Sequence, residues 1–469
     1  LYQTEAGKSF MSIQQTDASI NSGTSSGFVI KVSLVAALGG LLFGYDTAVI
    51  AGVIGYLQKR FELSPIMTGW AASSAIWGCA FGAMVAGYLS DRFGRKKVLI
   101  ITAILFVISS IGAMIPRNLT EFLIARFIGG LGIGAASMLS PLYISEIAPS
   151  RNRGRLVSLY QLAIVIGINL IYFVNLLIAS LGDEAWNVTT GWRYMLGSGT
   201  IPALLFLVLL LIVPESPRWL VKKGRDEEAF DTLEKVNGSV EGKNVLNEIK
   251  DTLKQEVGTL SDLFSKRLKP ALVIGIVLAL FSQITGINAI IYYAPEIFRA
   301  VGFASESALL QTVLIGAINT LFTFVALWLI DRAGRKTLLQ WGVAGMIICL
   351  FAVGMCFQFG LTNGPWLVLF ILAFIACFAS SLGPIPWVLL SEIFPTKTRG
   401  IAMSFCTVVL WVGVLAITQF TPWLLEHAGG AYTFWLFMLN AIFLLWFVWK
   451  KIPETKQRTL EEIEQSWKH

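Results

Sequence analysis

Two formal charges stand deep inside long apolar runs of this 469-residue chain, Asp46 in the run 29–57 and Arg126 in the run 121–143. A bare charge near a bilayer centre costs at least about 2.5–3.5 kcal/mol on insertion scales, so each needs a partner. Asp46 lies 15 residues past Lys31 and Arg126 five residues past Glu121. At 1.5 Å per residue these are roughly 22 Å and 8 Å, which places both side chains in the same outer half of a membrane, within reach of each other. Burial disfavours a charged carboxylate and a neighbouring guanidinium restores it. A motion that separates such a pair therefore loads or releases a proton. A static ion pair is the plainer alternative, and coupling is preferred because ionisable groups inside spans are functional by default.

A second group of residues is uncharged: Gln161, Gln283, Asn288, Tyr292, Asn319, Trp387 and Trp411. Amides both donate and accept, as an array of hydroxyls demands, while indole and phenol faces cover the apolar C–H surface of a sugar ring. Any one amide taken alone serves equally well as a helix-to-helix hydrogen bond. Asn288 and Tyr292 are four residues apart and share a helix face. Gln283 and Asn288 are five apart, about 140° off face in an ideal helix, unless Gly286 unwinds the segment between them.

These side chains need a membrane scaffold. The chain is 55% hydrophobic and only 14% charged, with mean hydropathy +0.70, where a soluble domain carries roughly a quarter charged residues. Apolar runs at 29–57, 70–90, 97–116, 121–143, 156–180, 194–213, 271–299, 308–330, 337–359, 366–391, 401–425 and 431–450 read as twelve transmembrane helices. The expected division is a disordered tail over 1–27, a six-helix bundle over 28–213, a polar helical insert over 214–270, a second bundle over 271–450 and a cytoplasmic tail over 451–469. The insert balances eleven Lys/Arg against eleven Asp/Glu, which suits a soluble face better than a nucleic-acid surface. The net charge of +7 sits in alternate loops, at Arg92, Arg95, Lys96 and Lys97, then Arg151, Arg153 and Arg155, then Arg332, Arg335 and Lys336, then Lys397 and Arg399. By the positive-inside rule these loops and both termini face the cytoplasm of a cell membrane.

An internal repeat supports two duplicated halves. Asp91-Arg-Phe-Gly-Arg-Lys96 recurs as Asp331-Arg-Ala-Gly-Arg-Lys336, Ser145-Glu-Ile-Ala-Pro149 as Ser391-Glu-Ile-Phe-Pro395, and Pro214-Glu-Ser as Pro453-Glu-Thr, at offsets of 240, 246 and 239. Duplicated bundles are a transporter signature, with substrate held between the halves. The repeat also groups Glu146 with Arg153 and Glu392 with Arg399, with Arg92, Arg95, Arg332, Arg335, Glu215 and Glu454 nearby, as a cytoplasmic gate that latches the outward-open state. Positive-inside charge alone does not explain the acids.

Together with Gly44-Tyr-Asp46, Pro214-Glu-Ser-Pro-Arg218, Gly286-Ile-Asn288, Tyr292-Tyr293 and Pro384-Ile-Pro-Trp387, these motifs make the chain resemble the sugar porter family of the major facilitator superfamily, and within it the bacterial xylose and glucose proton symporters. The resemblance covers about residues 30–465. It implies an all-α membrane fold of twelve helices in two pseudosymmetric bundles with an intracellular helical insert, sugar contacts at Gln161, Gln283, Asn288, Asn319 and Trp387, and proton symport from an Asp at position 46. Ser282, Leu410, Val414 and Ile168 depart from the polar residues that relatives carry there. The expected function is proton-coupled import of a hexose or pentose by a monomer, without metal or cofactor. Alternatives are a proton-independent facilitator, a polyol or inositol porter, and a transporter-like nutrient sensor. Enzyme chemistry is disfavoured, since the five cysteines lie in apolar runs, only two histidines occur, and Gly130-Leu-Gly-Ile-Gly134 sits inside a span where close helix packing explains it.

Overall fold

A computed structural model describes the backbone of residues 5–149, 153–254, 260–266, 268–300, 302–362, 365–395 and 398–456. The first half comprises α1 (Glu5–Phe61), α2 (Pro65–Phe93), α3 (Arg95–Met114), α4 (Leu119–Ile147), α5 (Arg153–Ala179) and α6 (Glu184–Ile212). Four short helices follow, α7 (Pro217–Lys222), α8 (Asp226–Asn237), α9 (Ser239–Lys254) and α10 (Leu260–Leu263). The second half is α11 (Lys269–Ile284), α12 (Ile287–Ala300), α13 (Ser305–Ala333), α14 (Arg335–Gln358), α15 (Pro365–Ala379), α16 (Ile385–Ile393), α17 (Arg399–His427) and α18 (Gly429–Lys451).

Eleven of the described stretches are long and apolar enough to cross a membrane. The run 366–391 departs from the expected single span, because α15 and α16 are separated by a turn over Ser380–Pro384. Pro384 and Pro386 lack the amide hydrogens that would continue the ladder. The described part of the expected tail, from Glu5 onward, is helical, and residues 1–4 lie outside the described residues. The helix continues into the apolar part Gly27–Phe61, since adding residues to an existing helix needs no new nucleus.

Small residues let the helices approach. A β-carbon on Gly130 of α4 would lie 2.8 Å from Gly78 Cα of α2 and would collide with the Ala75 carbonyl. The glycine run of α4 is therefore a packing seam, as its place inside a span implies. The insert has a small core of its own in Trp219, Leu220, Ala229, Leu233 and Leu246.

Candidate transport site

Asp46 on α1 and Arg126 on α4 meet. Arg126 Nη1 donates to Asp46 Oδ1 at 2.8 Å and Nη2 donates to the Asp46 carbonyl at 2.7 Å. The two side chains are 11% and 2% exposed, so this is a desolvated pair. Asp46 Oδ2 is buried with no hydrogen-bond donor among the described residues. Gly129 gives that oxygen room, since a β-carbon there would come within 3.2 Å of it.

Across the interior, the second half breaks a helix. α11 ends at Ile284 and α12 begins at Ile287, with Gly286 at φ +95°, a conformation glycine adopts without steric cost. The break turns Asn288 back so that its Nδ2 donates to Gln283 Oε1 at 2.8 Å, while Gln283 Nε2 donates to Ser282 Oγ at 3.1 Å. The two amides that an ideal helix would hold 140° apart thus form one cluster. Tyr292, one turn on, faces the Thr47 hydroxyl beside Asp46. Trp411 on α17 is 2% exposed, lies 5.5 Å from the Phe43 ring of α1, and has an indole N–H with no acceptor. Asn319 is buried on α13, while Gln161 on α5 and Trp387 at the start of α16 are half-buried.

The duplicated loop motifs build two parallel networks. In the first half, Arg95 donates from Nε and Nη2 to Glu146 at 3.0 Å each and from Nη1 to Asp91 at 2.9 Å. Glu215 accepts from the backbone amides of Arg95 at 2.9 Å and Lys96 at 3.1 Å, and Ser216 Oγ donates to Glu146 at 2.5 Å. In the second half, Arg335 Nη2 donates to Glu392 at 3.1 Å, Glu454 accepts from the amides of Arg335 at 3.0 Å and Lys336 at 3.1 Å, and Thr455 Oγ1 donates to Glu392 at 2.6 Å. Glu215 and Glu454 are carboxylates at helix N-termini, where unpaired amides and the dipole favour them.

Not every gate residue joins. Glu146 takes Arg95 from α3 as its partner, and Arg153 is exposed at the start of α5, so this structure does not bring Glu146 and Arg153 together. Arg92 lies 5.4 Å from the Phe93 ring and Arg332 lies 4.1 Å from the Trp328 ring, on the periphery of the networks. Arg399 Nε donates to the Phe394 carbonyl at 3.4 Å. Ser216 and Thr455, which sequence reasoning did not single out, were marked by the repeat itself, since each follows the acid of a Pro-Glu pair.

At the opposite end of the bundle, contacts cross between the halves. Tyr172 of α5 donates to the Ile291 carbonyl at 2.6 Å, and Ser73 of α2 donates to Gln419 of α17 at 2.6 Å. Glu296 and Arg299 of α12 pair at 2.5 Å against α1, with the Arg299 guanidinium 5.3 Å from the Tyr56 ring. Gly55 makes space for that pair, because a β-carbon there would collide with both Glu296 Oε1 and Arg299 Nη1. Nearer the networks, among the described residues, Ser404 Oγ lies 3.9 Å from Met138 Sδ across the halves.

Repeated helical halves with polar groups buried between them define a multi-pass membrane transporter. The family model described as "Sugar (and other) transporter" matches residues 32–467, and the chain belongs to that family. It is 47% identical to an arabinose-proton symporter of Bacillus subtilis, over 94% of this chain and 96% of that one. It is 41% identical to a D-xylose-proton symporter of Escherichia coli, over 96% and 97% of the two chains. A partially occluded inward-open structure of the E. coli xylose transporter XylE matches with TM-score 0.84 and 40% identity over 92% of this chain and all (100%) of that one. A structure of the major facilitator superfamily proton:xylose symporter XylE bound to 6-bromo-6-deoxy-D-glucose matches with TM-score 0.81 and 41% identity, over 94% and 100%.

Proposed function

We propose that this protein imports a monosaccharide, a hexose or pentose, together with protons by alternating access. Twelve crossings carry it, with α15 and α16 forming one broken crossing, and the networks, α7–α10 and both termini lie on the cytoplasmic side. The observation that carries the reading is the desolvated Asp46–Arg126 pair, whose neighbour Thr47 faces Tyr292 one turn beyond the Gln283–Asn288 amides. A sugar that draws on those amides and the indoles of Trp387 and Trp411 shifts α12. That shift reaches the residue beside the carboxylate, so sugar occupancy and the proton state of the pair bias the same motion. The names of the relatives supply the sugar class and the proton.

In this state the far end is closed by Tyr172, Ser73, Gln419, Glu296 and Arg299, while Arg95 pairs with Glu146 within the first half and Arg335 with Glu392 within the second. That arrangement fits release toward the cytoplasm. The test is uptake of labelled arabinose, xylose, glucose and inositol by proteoliposomes with and without an imposed pH gradient. Gradient-driven accumulation of one or more monosaccharides is expected. Asp46→Asn should lose accumulation yet keep exchange between equal sugar pools, because exchange needs only the loaded carrier to switch sides. Undiminished gradient-driven uptake by Asp46→Asn would end the symport reading.

A further inference from the structure

A groove of about 330 Å³ lies between the start of α11 and the end of α18, apart from the charge pair and the amides. Pro270, Val273, Ile274 and Phe447 form its apolar wall, and Lys266, Lys269 and Lys451 stand around it. The three lysines are exposed and, among the described residues, make no ion pair. Three cations without an ion-pair partner among the described residues thus border an apolar slot where two spans end.

Orientation alone does not call for them. By the duplication offsets of 240 and 239, Lys266, Lys269 and Lys451 correspond to Ser26, Val29 and Ile212 in the first half. The first half meets the positive-inside rule with its loop arginines and without cations at these places. The lysines are an addition peculiar to the second half, gathered from both flanks of a single groove.

We propose that this groove binds an anionic phospholipid of the surrounding leaflet, with the acyl chain along Val273, Ile274 and Phe447 and the phosphate among Lys266, Lys269 and Lys451. An amphiphile is the one ligand that uses both features, since a soluble anion leaves the apolar wall wet and a zwitterionic lipid gains little net attraction from the cations. Each lysine near a membrane surface is worth roughly fivefold in affinity for anionic lipid. The site is independent of which solute the transporter carries.

Native mass spectrometry and thermal unfolding of the full-length protein in detergent, titrated with phosphatidylglycerol, phosphatidylcholine or glycerol phosphate, test it. Phosphatidylglycerol should be retained and should raise the melting temperature, with the other two having little effect. The variant Lys266→Gln/Lys269→Gln/Lys451→Gln should retain phosphatidylglycerol roughly a hundredfold less tightly, with its lipid-free melting temperature unchanged. Lys31→Gln should behave as the parent. Val273→Trp, which fills the slot and keeps every charge, should also release the lipid. Parental retention by the triple variant, equal retention of phosphatidylcholine, or equal competition by glycerol phosphate would each overturn the site.

Discussion

In the first half the Arg95 and Glu146 side chains are 9% and 6% exposed, whereas in the second half Arg335 and Glu392 are 14% and 22% exposed. The hydrogen bonds are nearly the same, down to the hydroxyl of Ser216 or Thr455 on the acid. The difference comes from the segment that leaves the sixth span of each half. After Glu215 the chain folds into α7, whose Trp219 indole donates to the Asp91 carbonyl at 3.1 Å and whose Lys222 pairs with Asp91 at 3.0 Å. After Glu454 the corresponding contact is Lys456 Nζ donating to the Arg332 carbonyl at 2.6 Å, with no helix laid over it among the described residues. One duplicated motif therefore serves as a sealed structural pair in one half and as a wetter, more breakable pair in the other. Water access, more than the residues of the motif, separates the two networks.

Removing the acids tests this most strongly. Glu146→Ala leaves a largely buried Arg95 with Asp91 as its remaining carboxylate and should cost about 3 kcal/mol, while Glu392→Ala, with water at hand to resolvate Arg335, should cost about 1–2 kcal/mol. Melting temperatures of the purified variants would show the gap, and equal losses would erase the contrast. A contrast between the two ends of the bundle comes next. Gly55→Leu forces the Glu296–Arg299 pair away from α1 and should raise labelling of single cysteines at the far end severalfold while lowering it beside the networks. Unchanged labelling would mean that the far end does not depend on this contact. Glu215→Ala and Glu454→Ala remove matching helix caps and should each cost about 0.5–2 kcal/mol, by equal amounts, because cap geometry is the same in both halves. Smallest of all, Lys222→Ala breaks a pair whose side chains are 47% and 51% exposed, and a loss of no more than about 0.2–1 kcal/mol is expected on thermal unfolding.

Much of this was legible in the sequence because membrane burial makes errors costly. Asp46 and Arg126 could be paired from depth alone, since no other charge stood inside the spans away from their ends. Gly286 as a break followed from two amides on opposite faces that a single ligand would have to share. Other features were hidden by the third dimension. Seven residues separate Glu146 from Arg153, but the partner that reaches it is Arg95, delivered by a neighbouring helix 51 residues away. The α15–α16 turn is written in Gly383, Pro384 and Pro386, yet mean hydropathy stays high across it and marks one continuous span. Glu296 and Arg299 read as an ordinary span end, because nothing local shows that Gly55 of the other half lies against them.

The capping of α3 by Glu215 has a mechanical consequence. Glu215 grips α3, Ser216 grips Glu146 on α4, and Trp219 and Lys222 grip Asp91 on α2, so α7 is bolted to the first bundle at several points. Beyond α10, Phe264 instead stacks edge-on against Phe405 of α17 at 6.0 Å. By its contacts, the polar insert divides between α9 and α10 and not at the end of the sixth span. The insert through α9 is thereby fastened to the first bundle, while α10 and Phe264 lie against the second.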